Sequence, residues 1–409
     1  MRNLIVKVLT VFFALPVMAV NANATSKVTV AQLEQTLAAT HGTPDAVVAD
    51  RLSGFELTER LSAARFARLK AELPGEKAQQ ALAVLAHSLE FLNLPAEEIP
   101  STAAPNVAEQ RRMMTLVVGY TTKSVHELPN LFATRATTRY EDRPQGEYSY
   151  LPLQVVGNSS RTVFYRDGQE MVDAVSGKSG SEELGLASWG EFGPILSTVL
   201  LDAAQNKLAW SHWEQGANGP VAVFGYSVPN QKSHYWVQFC CTTEIVAGIP
   251  HNGAGPNGVG PNSAQNLENW SEAPRVLREK AGYHGEIAVD PATGAILRMT
   301  ADAEFPVSEK LIRAAIMVEY GSVDIGGKSF ICPRRSVALS LIRYKHATTG
   351  AHSILDHDPL KTLVNDVAFE QYHRLGAEAR ILTGDDGGVA AKSRDAQLHD
   401  ASILQSAWR

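Results

Sequence analysis

The chain has 409 residues, with 43 acidic and 37 basic side chains and a formal net charge of −6. Its lysines and arginines form no block and do not interleave with aromatics, which argues against a nucleic-acid binder held by clustered cations. Only Cys240, Cys241 and Cys332 are present, with no CxxC pair.

Residues 1–24 have the parts of a secretory signal: Arg2 and Lys7, the largely apolar run Val8–Val20, and small residues at Ala22-Asn23-Ala24. The run is shorter than a membrane-spanning helix needs. The expectation is a cleaved signal, a mature chain in the periplasm or outside the cell, and no transmembrane segment in that mature chain. Loss of the two signal cations takes the net charge from −6 to −8. In an oxidising compartment one bridge from Cys332 to Cys240 or Cys241 is an expectation, beside three buried thiols.

Residues 25–125 read as a small helical N-terminal domain. Ala78, Leu82, Leu85, Leu89 and Leu92 recur at helical spacing, and Phe66, Leu69 and Leu73 form the stripe of a shorter helix. Thr43-Pro44 has the form of an N-cap followed by proline. Pro95, Pro100 and Pro105 mark a linker at 93–106. Asn106 with Glu109 then fits a capping box that opens a helix reaching about Tyr120.

Residues 126–345 read as an antiparallel β domain, because hydrophobic spacing shortens and turn signals recur. Asp167-Gly168 suits a two-residue hairpin between 161–165 and 170–175. Further hairpins are expected at Pro229-Asn230 between 221–228 and 234–242, at Asp290–Gly294, and at Gly326-Gly327. Phe192–Ala204 reads as a helix, and 302–310 as a possible short one. In 234–241, Tyr235, Val237, Phe239 and Cys241 share one face, while His234, Trp236, Gln238 and Cys240 share the other. Large groups on both faces imply that both are covered, by helices or by a ligand. Successive hairpins argue against βαβ crossovers. The expected fold is α+β: a curved, open antiparallel sheet with helices on its concave face, preceded by the helical domain. The loop 249–264 is glycine- and proline-rich and is a candidate lid. The tail 346–409 reads as partly helical, as over 360–375, or disordered.

No motif is specific for a reaction, and no cofactor is implied. The aromatic and cationic residues Trp210, Trp213, Tyr235, Trp236 and Arg298 are candidates for an apolar ligand site. His346, His352, Asp356, His357 and Asp358 form a local cluster better read as solvated surface than as a metal site. Glu191 and Glu319 are a conceivable carboxylate pair. His234 or His284 with a nearby acid would serve a hydrolase, which should then show a Ser–His hydrogen bond near 3 Å.

Between Gly285 and Val337 the chain carries the hairpin Ile287–Leu297 around Asp290-Pro291-Ala292-Thr293-Gly294. The strand Val318-Glu319-Tyr320 follows, running through Val323 to Gly326-Gly327, and then Phe330-Ile331-Cys332-Pro333. This pattern resembles periplasmic carrier proteins of the lipoprotein-localisation family. The resemblance implies an open curved sheet that holds a lipid anchor or a lipoprotein partner. No ligand-holding residue of that family is matched, and the segments 25–125 and 346–409 have no counterpart in a small carrier. The whole chain is also similar to large exported bacterial proteins of no assigned role. The leading expectation is a non-catalytic envelope protein binding an apolar ligand or lipidated partner. A secreted hydrolase and an interaction module are the alternatives.

Overall fold

The computed structural model describes residues 26–87, 90–144, 150–172, 185–186, 190–245, 272–306, 310–343 and 360–375. The expected signal at 1–24, the loop 249–264 and the cluster His346–Asp358 lie outside them, as does the tail beyond 375.

The fold is α+β, with a large open antiparallel sheet preceded by helices. A short parallel pair, β1 (Ser26–Val28) and β2 (Phe55–Leu57), frames α1 (Val30–Ala38) and α2 (Asp45–Ser53). Next come α3 (Ala63–Glu72) and α4 (Glu76–His87). Val30, Leu33, Leu52, Leu69 and Leu82 from these helices bury one another in a small core. Such short helices hold only through shared burial. The Asp45 carboxylate accepts from the backbone N–H of Lys77 and Ala78, so α2 caps α4. The cap residue of α2 is Pro44 rather than Thr43.

The capping box of Asn106 and Glu109 forms as expected and opens α5 (Val107–Glu127), one to two turns longer than the expected helix. α5 belongs to a different core: Met113, Met114, Val117 and Val118 pack with the sheet.

The sheet contains β3 (Leu131–Pro144), β4 (Tyr150–Arg166), β5 (Gln169–Val172), β7 (Lys207–Gly216), β8 (Gly219–Val228), β11 (Tyr283–Val289), β12 (Ile296–Glu304), β13 (Leu311–Asp324), β14 (Ser329–Arg343) and β15 (Leu360–Arg374). These ten strands follow the order β5-β4-β3-β15-β14-β13-β12-β11-β8-β7. A three-stranded sheet of β10 (Glu272–Lys280), β9 (Trp236–Ile245) and β6 (Gly185–Leu186) and the helix α6 (Pro194–Gln205) supply groups to the same core as the larger sheet. The hairpin turns at 167–168, 290–294 and 326–327 form as expected. Asp167 and Gly168 both take positive φ, and the Asp290 side chain accepts from Ala292 N–H. Gly294 has φ 77° and lies so near the α5 backbone at Leu116 that no side chain fits there.

Three expectations are corrected. Residues 360–374 form a strand, not a helix, seated between β3 and β14. β8 does not pair with β9. After Val228 a 3-10 turn at Asn230–Lys232 carries the chain out of the large sheet into the small one. Residues up to Glu304 continue β12 rather than starting a helix.

The sheet has two unlike faces. One carries Phe224, Tyr226, Ile287, Met299, Ile316 and Val318 against α5, α6, Tyr235, Val237 and Phe239. The other carries Tyr140, Met317, Val337, Leu339 and Val364, against which Val84 and Phe91 of the N-terminal segment pack.

Candidate functional site

The face beneath the N-terminal segment is where charged side chains gather. A bulge in β7 sets the local geometry, because the register with β8 shifts between Trp210 and His212. Adjacent strand residues normally point to opposite faces, and an extra residue breaks that alternation. Ser211 and His212 therefore meet on one side, with Glu214 beyond them. Ser211 Oγ is 2.9 Å from His212 Nδ1, and His212 Nε2 is 3.2 Å from Glu214 Oε1. Ser211 also lies 3.3 Å from Glu286 Oε1.

Glu214 is the hub of this group. Arg60, on the chain between β2 and α3, donates to its Oε1 at 2.6 Å. Arg298 of β12 donates from both terminal nitrogens, at 2.8 and 2.9 Å. Burial alone would raise the Glu214 pKa. Hydrogen bonds from His212 and Arg298 and the charges of Arg298 and Arg60 outweigh it and hold the carboxylate well below its usual range. Burial lowers the pKa of Arg298, but the bond and charge of Glu214 raise it overall.

Ligand atoms of His212, Glu214 and Glu286 lie within 4.8 Å of one another, a spacing that metal sites also show. Here both Glu214 oxygens already accept from guanidinium groups. A cation would have to displace two fixed positive charges, so this donor set does not suit a metal.

This group borders a polar cleft of about 580 Å³ that includes Arg60, Ser211, His284, Glu286, Arg298 and Asp302 in its walls. A second, larger groove of about 1070 Å³ runs between α2, α4 and the sheet. Leu52, Val84, Leu85, Leu153, Val155, Leu339 and Leu341 give it mostly apolar walls. Phe91 and Leu92 line both spaces, so they stand as the partition between them. Arg313 places its guanidinium 5.6 Å from the Phe91 ring while donating to Asp302 at 3.0 Å.

Ion pairs hold the N-terminal segment over these spaces. Arg335 of β14 donates to Glu90 at 2.7 Å and to Asp366 of β15 at 2.9 Å. His87 Nδ1 approaches Asp366 at 3.2 Å but without hydrogen-bond alignment, and burial lowers its pKa. It therefore adds packing rather than charge, edge-on to Tyr140 at 5.6 Å.

The five candidate ligand residues are not brought to one place. Trp210 and Arg298 share the polar cleft. Trp213 packs on Trp210 at 4.8 Å and donates to the Ala103 carbonyl, tying the linker to β7. Tyr235 is buried against Tyr283 at 4.9 Å, among the groups of the other face. Trp236 is 51% exposed, with the Arg278 guanidinium over its ring. The expectation that both faces of 234–241 are covered therefore fails. Tyr235, Val237 and Phe239 are buried, while His234, Trp236 and Gln238 are exposed; on that second face Cys240 alone is buried, where β6 pairs with β9.

Other sequence candidates are placed as follows. Glu191 and Glu319 lie on opposite faces of the sheet: Glu191 accepts from Ser336, while Glu319 sits across from Arg335 on the adjacent strand. They are not a carboxylate pair. Glu170 is instead the close neighbour of Glu191. Burial first, and the Glu191 charge second, push the Glu170 carboxyl up to about 8. His234 Nδ1 is 2.5 Å from the buried Asp202, which also accepts from Tyr283 at 2.9 Å. His284 is exposed and lines the polar cleft. No Ser–His bond forms at His234 or His284 among the described residues; one forms instead at Ser211–His212, a pair the sequence does not single out. Cys240 is disulfide-bonded, whereas Cys332 is a free buried thiol, so no bridge reaches Cys332. Burial pushes that thiol up to about 12, which leaves it inert.

Among the described residues no helix is long and apolar enough to cross a membrane. No protein-family model matches the chain, and neither a curated protein nor a solved structure matches it.

Proposed function

We infer that this is an exported envelope protein that binds one apolar chain of a lipid or lipidated partner in the groove between α2, α4 and the sheet. One observation carries the reading: a space of about 1070 Å³ with mostly apolar walls is left between two separately packed cores. That volume is at the upper end of ordinary small-molecule pockets. Each methylene buried there would contribute about 0.8 kcal/mol. The polar cleft beyond Phe91 and Leu92 would keep a head group solvated. The likeness of residues 285–337 to lipoprotein-localisation carriers points to the same class of cargo. The interaction-module reading is less favoured, because Val47 is the one large apolar group exposed on α1–α4 among the described residues.

The test is binding of a fluorescent fatty acid to delipidated protein. Saturable binding at one site, weakened at least tenfold by Val84→Glu, is expected. Binding that is absent, or indifferent to Val84→Glu in a folded variant, contradicts the assignment.

A further inference from the structure

At the wall of the polar cleft stands a nucleophile, Ser211, with a base and an orienting acid in line behind it, and neither the groove nor the ion pairs require that order. Ser211 is exposed at the cleft wall, its Oγ 2.9 Å from His212 Nδ1. The opposite ring nitrogen of His212 faces Glu214 at 3.2 Å. An ionised acid at Nε2 holds the proton there and leaves Nδ1 as the acceptor for the serine proton. The ring is reversed relative to the usual serine–histidine–acid order, and either imidazole nitrogen can act as base. The bulge at Trp210/His212 is what allows consecutive residues to face each other.

We propose that Ser211, His212 and Glu214 form an acyl-ester hydrolase site that cleaves carboxylic esters entering the polar cleft. Ser211 Oγ adds to the ester carbonyl while its proton passes to His212 Nδ1. The carbonyl π pair moves to oxygen, and Arg60 and Arg298 are the cations lining the same cleft. Collapse breaks the bond to the alkoxide, which leaves with the proton from Nδ1. Water then gives a proton to Nδ1 and adds to the acyl-serine. Collapse of that adduct returns the proton to Ser211 Oγ and frees the acid. The balance is ester plus water to carboxylic acid plus alcohol, with no redox change. Ser211 and His212 are the catalytic residues, and Glu214 is a positioning residue. The preference for a long acyl chain rests on the groove reading, because Phe91 and Leu92 open on both spaces. The nucleophile itself does not rest on it.

Full-length protein is treated with diisopropyl fluorophosphate, whose fluoride leaves as a serine Oγ–P bond forms, and the adduct is mapped by peptide mass spectrometry. One adduct per chain on Ser211 is expected, and Ser211→Ala should abolish it together with hydrolysis of p-nitrophenyl butyrate. His212→Ala should slow both by about 10²- to 10⁴-fold, the span of general-base catalysis. Glu214→Gln should shift the pH profile of labelling, and Glu214→Asp should restore part of it, which a merely structural role would not do. A folded protein with no adduct, an adduct on another residue, or hydrolysis unchanged in Ser211→Ala overturns the proposal. Val84→Glu separates the two readings: if both hold, it lowers the ratio of long-chain to butyrate hydrolysis while the adduct on Ser211 still forms. Equal rates on short and long chains in both proteins would retain the nucleophile and remove the groove.

Discussion

The two faces of the ten-stranded sheet are covered by different physics. On one, aromatic and aliphatic groups of α5, α6 and the small sheet close over Phe224, Tyr226 and Ile287. On the other, the N-terminal segment is held by Arg60–Glu214 and Arg335–Glu90, and it leaves a groove and a cleft. Apolar burial is non-directional and favours filling, whereas short charge-assisted hydrogen bonds from guanidinium to carboxylate fix an approach distance. A lid hung on such contacts can leave volume beneath it. The chemistry-bearing side chains Ser211, His212, Glu214 and Glu286 line that same face.

Substitutions should separate the faces. Phe239→Ala, in the dry core at 1% exposure, is expected to cost about 3–5 kcal/mol in urea unfolding. Val84→Ala or Leu341→Ala on the groove wall should cost well under half of that, because the wall atoms already border empty space. Equal losses would mean that the groove is packed as tightly as the core. Next in size, Glu214→Gln strands Arg60 and Arg298 and should cost about 3 kcal/mol. A loss below about 1 kcal/mol would mean that water compensates the guanidinium groups.

The dry face should also respond to pH through Glu170. Its folded pKa is raised, so its protonated form is the one the fold prefers. Its contribution is fully present below the ordinary carboxylate pKa and is lost as pH rises toward about 8. Across that window stability should fall by at most about 1.4 kcal/mol per pH unit, and Glu170→Gln should flatten the slope in urea titrations. An unchanged slope would place the titrating group elsewhere. The smallest effect belongs to the exposed Lys27–Glu56 pair at 3.9 Å. Lys27→Ala should shift the urea midpoint barely above error, and a clear loss would contradict the distinction between anchoring and rim charges.

Features set by neighbouring residues were legible in the sequence. The Asn106–Glu109 box and the turns at Asp167-Gly168 and Asp290–Gly294 depend on chemistry within a few positions. The strand β15 was not legible, because its apolar residues Leu360, Leu363, Val364 and Val367 fall at helical spacing. The structure explains this: Val364 faces the N-terminal segment and Leu363 and Val367 face the other side, so a central strand buries both faces and loses its alternation. The Ser211–His212–Glu214 line was missed for a related reason. One bulge residue reverses the side-chain parity of an edge strand, and nothing local in Trp210–Trp213 announces it. Residue type alone singles out the aromatic candidates, and Trp210, Trp213 and Tyr235 pack against the core, with Trp213 also bonded to the linker.

We propose that another molecule fills the space roofed by the N-terminal segment. Native mass spectrometry of the full-length protein from its own host, before and after delipidation, measures this directly. One bound lipid-sized mass per chain is expected in wild type, and its loss in a folded Val84→Glu variant. A wild-type chain that carries no added mass, or a mass that Val84→Glu leaves in place, would contradict it.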